Sequence, residues 1–173
     1  MWAYSGAYGD NSPGHVYSNT NWQYHTDVEI HDGVYYQAHH TFVTRGTITS
    51  ANSVSITSDG STYAEKLFDR TSTGEPDLEV APNGTVYVAD HLKIEYWQQD
   101  GTTGSFTYPT ATGSDPKQIE IDSSGVIHML AYNSAQGSIF YYKYDGGSWD
   151  SGEYVSAATS DQMKYSRADF EID

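Results

Sequence analysis

Four acidic side chains occupy the same position of a repeated sequence phrase, which makes them candidates for ion or proton chemistry. The phrase alternates polar, apolar, acidic and apolar residues, and its glutamates are Glu29, Glu79, Glu120 and Glu171. Carboxyl groups that converge raise one another's pKa or require a cation, and Ca²⁺ takes oxygen ligands. A Ca²⁺ site at these glutamates is therefore one hypothesis. The simpler expectation is that they face solvent or hydrogen-bond to neighbouring strands, opposite an apolar face.

Two histidines are weaker metal candidates. His40 and His91 each lie two residues after an alanine that ends a predicted second strand, so adjacent repeats would bring them to one rim. Zinc sites need three or four convergent ligands, and the seven histidines form neither a His-x-His nor an HExxH pattern, which favours surface or turn histidines. The chain has no cysteine, so disulfides and thiolate metal sites are excluded. No nucleotide-binding loop or serine nucleophile elbow is present, and no cofactor beyond the Ca²⁺ hypothesis is indicated.

Aromatic residues recur after turns that carry Gly or Asn. Trp22, Tyr63, Phe106 and Trp149 follow one another at spacings of 41, 43 and 43 residues. Aromatic faces beside a few polar groups are suited to binding sugars, but the same positions are suited to packing a repeat core. The candidate ligand-binding residues are Trp2, Asp90, Trp97, Tyr132 and Trp149. Because side chains alternate along a strand, we expect Trp149 to be mainly structural and Trp97 to be the more exposed of the two.

The elements that must position these residues are β-strands. Each acidic phrase reads as a first strand, and in the two middle copies the turns Asn83-Gly84 and Ser124-Gly125 lead into apolar second strands. Third strands are predicted at Ile94–Tyr96 and Ile139–Tyr141. Helix signals are nearly absent, because the best candidate, residues 61–70, is short and uncapped.

Repeats of this length in all-β sequence are typical of propeller blades. We predict a single-domain β-propeller of about four four-stranded blades, at residues 169–173 with 1–26, 27–76, 77–117 and 118–168. The C-terminal phrase Asp169–Asp173 lacks a second strand, whereas Met1–Ser5 reads as a second strand without its first. Joining them would close the ring and hide open sheet edges. The alternative is that these edges pair with a second copy, so that the chain is half of an eight-bladed dimeric ring.

Charge narrows the range of partners. With 23 acidic and 8 basic residues, the formal charge of −15 argues against nucleic acid and against anionic membranes. No apolar run approaches the length of a membrane span, and the chain begins directly in patterned sequence with no basic and then apolar signal segment. The acidity is compatible with an extracellular or secreted setting.

The segment 118–154 carries a family resemblance. Its residues Gly125–Tyr132 and Tyr144–Trp149 resemble blades of sialidase-like exported bacterial propellers and of fucose-binding lectins, whose blades end in a similar Asp-Gly-x-x-Trp turn. Sialidase activity in the first family implies three arginines, a tyrosine nucleophile with a glutamate, and an aspartic acid. Arg45, Arg70 and Arg167 are the only arginines here, and none stands in a matching context.

The lectin resemblance implies an Arg, a Glu and a Trp from neighbouring blades at each sugar. Trp149 fits the Trp-bearing turn, but no repeat carries the paired arginine. We therefore predict a non-enzymatic recognition module that binds a neutral glycan. One alternative is a glycoside hydrolase, a sialidase-like enzyme or the remnant of one, which needs two carboxyl groups about 5–10 Å apart. The other is a structural propeller that oligomerises through open strand edges.

Overall fold

The computed structural model describes residues 27–39, 41–50, 53–55, 65–71, 76–90, 92–109, 117–133 and 135–157, with Phe170 and Ile172. Within these residues every regular element is a β-strand, and thirteen strands form three antiparallel sheets. The predicted all-β class is therefore confirmed. The segment weighed as a helix contains a strand instead, at Glu65–Asp69. Across the described ranges, no helix has the length and apolar character needed to cross a membrane.

The first sheet has five strands, which are β1 (Asp27–His31), β2 (Val34–Ala38), β3 (Phe42–Ser50), β4 (Ser53–Ser55) and β5 (Glu65–Asp69). Strands β1 to β3 follow one another in the sheet, and the long β3 pairs with β4 along one half and with β5 along the other. Asp32 and Gly33 join β1 to β2 with φ angles of 49° and 76°. Two consecutive positive φ angles are characteristic of the tight type I′ hairpin turn.

The second and third sheets are four-stranded meanders. The second contains β6 (Asp77–Val80), β7 (Val86–Ala89), β8 (Lys93–Trp97) and β9 (Thr103–Thr107). The third contains β10 (Lys117–Ile121), β11 (Ile127–Asn133), β12 (Ser138–Tyr144) and β13 (Glu153–Ala157). Gly84 and Gly125 occupy the predicted hairpin turns with φ angles of 78° and 84°, a conformation that glycine adopts without a steric penalty. The predicted third strands are β8 and β12.

The sheets pack face to face through two apolar clusters. The first cluster joins the first two sheets and includes Tyr36, Val43, Leu78, Val88 and Trp97. The second cluster joins the second and third sheets and includes Ala89, Ile94, Ile119, Met129 and Tyr142. The middle sheet is thus covered on both faces, and burial of these side chains is the main stabilising contribution to the stack.

The expectation that Trp97 is more exposed than Trp149 is wrong. Trp97 is only 6% exposed and packs against the first sheet, whereas Trp149 is half-buried. Alternation along a strand separates a buried face from an exposed face only when one face meets water. In β8, Ile94 packs towards the third sheet and Trp97 towards the first, so both alternating positions are buried.

Neighbouring sheets are also linked by a repeated hydrogen bond between their first strands. The Asp27 carboxylate accepts from the Leu78 backbone N–H at 2.8 Å, and the Asp77 carboxylate accepts from the Ile119 N–H at 2.5 Å. Asp27 and Asp77 hold equivalent places in their repeats, as do Leu78 and Ile119. The same contact therefore places each first strand beside the next, and we name these two bonds the aspartate links.

Candidate functional site

The first strands bring three of the four repeated glutamates into electrostatic contact. Burial, together with the charges of the nearby Glu120 and Glu29 carboxylates, raises the pKa of Glu79 from 4.5 to about 9. Burial also raises the pKa of Glu29, with a contribution from Asp27. The charge of each carboxylate opposes ionisation of its neighbour, so Glu79 holds its proton at neutral pH. Glu171 lies outside the described residues.

The metal candidates form no complete ligand set within the described part of the chain. Among those residues, no group of three or more His, Asp or Glu side chains is arranged to hold a metal ion. His40 and His91, like Glu171, fall outside the described residues. The Ca²⁺ site therefore stays a prediction.

Asp90 belongs to a buried ionic network between the first two sheets. Arg70 at the end of β5 donates to the Asp90 carboxylate at 2.9 Å and to the His39 carbonyl at 2.6 Å, and neither charged side chain is exposed. The other Asp90 carboxylate oxygen accepts from the Leu92 N–H at 2.8 Å. Burial, followed by the Arg70 charge, lowers the pKa of His39 to about 4. The sequence singled out Asp90 for ligand binding, and the structure uses its carboxylate to join two sheets.

Glu95 extends this network towards the surface. Its carboxylate accepts from the Thr71 N–H at 2.9 Å and lies 3.2 Å from the Lys93 ammonium group. Tyr108 fixes the adjacent turn, because its hydroxyl donates to the Asp90 carbonyl at 2.7 Å. The contacts of Asp90 and Glu95 are those of a structural ion pair network.

Two more candidate residues are also enclosed. Tyr132 is 4% exposed, and the Arg45 guanidinium lies 5.1 Å from the centroid of the buried Trp97 ring. Neither ring presents a broad face to solvent. Trp2 lies outside the described residues, as do the repeat aromatics Trp22 and Tyr63.

Trp149 has a different environment, because it ends a continuous row of half-buried rings between the second and third sheets. This aromatic row consists of Tyr87, Tyr96, Phe106, Tyr144 and Trp149. Phe106 and Tyr144 stack with centroids 4.4 Å apart and planes 11° apart, and the Tyr144 and Trp149 centroids are 5.3 Å apart. The first pair is stacked and the second is tilted, and such contacts hold the rings in fixed relative orientations.

Hydrogen bonds fix the turn that carries Trp149. The indole Nε1 donates to the Thr107 carbonyl on the second sheet at 3.0 Å. The Asp145 carboxylate accepts from the Gly147 N–H at 3.2 Å and the Ser148 N–H at 3.4 Å, and these backbone bonds lower the pKa of Asp145. An ionised, exposed carboxylate therefore stands in the same turn as a preoriented indole.

The aromatic row is more extensive than the sequence indicated. Sequence spacing identified Phe106 and Trp149, but it did not identify Tyr87, Tyr96 or Tyr144 as partners. Burial raises the pKa of Tyr87, so its phenol is neutral at physiological pH. The strand register could have identified two of these residues. Tyr87 in β7 pairs with Tyr96 in β8, and cross-strand neighbours share one face of the sheet.

Comparisons with known proteins give no family assignment. No family model matches the chain, and no curated protein matches it. Among solved structures, one similar chain comes from the Saccharomyces cerevisiae complex of Dbp5 with Nup159, Gle1, IP6 and ADP. The sequence identity is 8%, the match covers 81% of this chain and 32% of that chain, and the TM-score is 0.43. At that TM-score the likeness carries no argument about fold or function.

Proposed function

We propose that this protein is a non-enzymatic recognition module that binds a neutral glycan on the aromatic row. The observation that carries the proposal is the partly exposed Trp149 ring, held in place by Thr107 and by a tilted contact with Tyr144. A fixed aromatic face binds the C–H face of a sugar at a low cost in side-chain entropy. Neighbouring phenol hydroxyls and the Asp145 carboxylate supply hydrogen-bonding partners for sugar hydroxyls.

The charge of the molecule favours a neutral ligand over an anionic one. The net charge of −15 opposes the approach of sialylated or sulfated glycans. No basic residue belongs to the aromatic row, and the exposed carboxylate beside Trp149 adds further negative charge. A neutral sugar can contact the aromatic rings and form hydrogen bonds through its hydroxyl groups without electrostatic repulsion from the acidic protein.

A four-bladed β-propeller is the architecture we propose for the module. The aspartate links, which join successive first strands, are consistent with blades arranged around an axis. Val28 and Ile30, on β1, are 52% and 58% exposed, so the first sheet retains apolar side chains that a further sheet would cover. In this proposal that sheet comes from residues 169–173 and the N-terminal strands. An eight-bladed dimer is the alternative, and sedimentation equilibrium distinguishes a monomer from a dimer.

Intrinsic tryptophan fluorescence gives a first test of the glycan site. Titration with neutral oligosaccharides should change the emission of the wild-type protein, because a sugar displaces water from the Trp149 face. The variant Trp149→Ala should lose saturable binding, measured by calorimetry, while Tyr154→Ala should retain it as an exposed aromatic outside the row. Equal binding by the wild type and Trp149→Ala would contradict the assignment.

A glycoside hydrolase is the second candidate, because burial and the nearby Glu120 carboxyl group raise the pKa of Glu79 to about 9. General acid catalysis requires a carboxyl group that keeps its proton near neutral pH. Chromogenic glycosides incubated with the wild type, Glu79→Gln and Glu120→Gln test this candidate. Turnover by the wild type that both variants lose would support the enzyme, and no turnover would leave recognition as the better explanation.

A further inference from the structure

Asp122, His128 and Tyr141 form a hydrogen-bonded relay on the third sheet, here named the Tyr141 relay. The His128 Nε2 lies 3.1 Å from the Asp122 carboxylate, and its Nδ1 contacts the Tyr141 hydroxyl. An ionised carboxylate only accepts hydrogen bonds, so Nε2 carries the ring proton. In the neutral ring Nδ1 is then the acceptor, and the Tyr141 O–H donates to it.

The fold fixes each member of the relay. The other Asp122 oxygen accepts from the Ser124 N–H at 2.8 Å and the Val126 N–H at 3.0 Å, so the turn orients the carboxylate. His128 is buried in β11, whereas Tyr141 in the adjacent β12 is half-buried. A sheltered base therefore contacts a phenol that remains partly open to solvent. This is the order of groups in an activated nucleophile, with the base oriented by a third residue.

The relay is separate from the proposed glycan site. Phe140 and Tyr142 pack towards the second sheet, and Tyr141 lies between them in the strand, so it points to the opposite face. On that face the Lys143 ammonium lies 5.4 Å from the Tyr141 ring centroid, within the range of a cation–π contact. Glu153 lies opposite Tyr141 in the register and makes this surface more attractive to a cationic reagent.

We propose that the Tyr141 relay is a nucleophilic site for tetrahedral sulfonyl or phosphoryl electrophiles that carry a leaving group. With a sulfonyl fluoride, the Tyr141 oxygen attacks sulfur and an O–S bond forms. The S–F bond breaks and its electron pair leaves with fluoride, while the phenolic proton passes to His128 Nδ1. His128 then returns this proton to water, and the stable product is a sulfonylated tyrosine. No oxidant, reductant or cofactor enters the balance.

The test compares two tyrosines of one protein. The full chain is treated with 4-(2-aminoethyl)benzenesulfonyl fluoride, and peptide mass spectrometry gives the labelling rate at each tyrosine. Tyr154 is the internal control, because it is 61% exposed and lies outside the relay. General-base assistance predicts that Tyr141 reacts on the order of 100-fold faster than Tyr154 despite its greater burial. If solvent exposure alone set the labelling rate, Tyr154 would react faster than Tyr141.

Two variants separate activation by His128 from a structural effect. His128→Gln should reduce the Tyr141 labelling rate to that of Tyr154 without changing the Tyr154 rate, and Asp122→Asn should reduce it by a smaller factor. If His128→Gln does not fold, Asp122→Asn and the wild-type rate ratio decide the question. The proposal is overturned if Tyr154 reacts as fast as Tyr141 in the wild type, or if folded variants label Tyr141 at the wild-type rate.

Discussion

At the scale of single residues, the charge of Glu79 depends strongly on its surroundings. Its folded-state pKa of about 9 exceeds its ordinary value of 4.5, because it is buried beside other carboxylates. The folded protein therefore holds a proton that the unfolded chain releases. The contribution of Glu79 to the free energy of unfolding is fully present below pH 4.5 and is lost as the pH rises through 9.

Urea denaturation at pH 6 and pH 8 tests this linkage. Between pH 6 and pH 8, the free energy of unfolding of the wild type should fall on the order of 1–2 kcal/mol relative to Glu79→Gln. This loss is smaller than the pKa shift alone would give, because solvent screens the half-buried Glu79 carboxyl group. Glu153→Gln is the control, since Glu153 is exposed and its removal should give no comparable pH-dependent difference. A stability difference between Glu79→Gln and wild type that does not vary with pH would refute the linkage.

Comparing the variants Trp97→Ala and Trp149→Ala distinguishes a tryptophan that packs in the core from one that is available for ligand binding. Trp97→Ala should lower the free energy of unfolding by about 3–5 kcal/mol, because it leaves a cavity between the first two sheets. Trp149→Ala should cost clearly less, since this ring is only half-buried. Thermal melts of the two variants under the same conditions provide the comparison. A larger loss from Trp149→Ala would mean that the aromatic row is part of the core and has no free face for a ligand.

At the scale of elements, the Arg70 network fastens β5 of the first sheet to the turn before β8 of the second. Arg70→Met should lower the free energy of unfolding by about 3–5 kcal/mol, because the buried Asp90 carboxylate would lose its ionic partner. Lys66→Met is the matched control: Lys66 lies in the same strand and pairs with Asp69 at 3.0 Å, but on the surface. Urea denaturation of both variants gives the result. Similar losses would show that the buried pair has no special role.

The positions of the strands could be predicted from the sequence more completely than the burial of their side chains. Alternation and turn residues located β1, β6 and β10, because these patterns are local. The exposure of Trp97 could not be predicted in the same way, because it depends on which sheets cover the two faces of β8. The partnership of Arg70 with Asp90 joins residues 20 positions apart and arises only when two sheets meet. Tyr141 and His128, on adjacent strands, likewise depend on the register of the third sheet.

At the scale of the whole molecule, closure of the proposed ring concerns the two ends of the chain. Deleting residues 168–173 should lower the melting temperature or cause aggregation. In the proposed ring, this deletion removes a strand and leaves a sheet edge open. Differential scanning calorimetry with light scattering measures both effects. Removal of Met1 alone is a control for trimming a terminus. A truncated protein that melts at the wild-type temperature and stays monodisperse would argue against closure by this strand.

The central claim is that the aromatic row binds neutral glycans, and a glycan array probed with and without EDTA tests it most directly. We expect the wild-type protein to bind neutral glycans equally in both conditions, and we expect Trp149→Ala to lose this binding while Tyr154→Ala keeps it. EDTA-insensitive binding supports recognition by aromatic and hydroxyl groups without a Ca²⁺ ion. An array dominated by sialylated or sulfated glycans, or an unchanged array with Trp149→Ala, would contradict the claim.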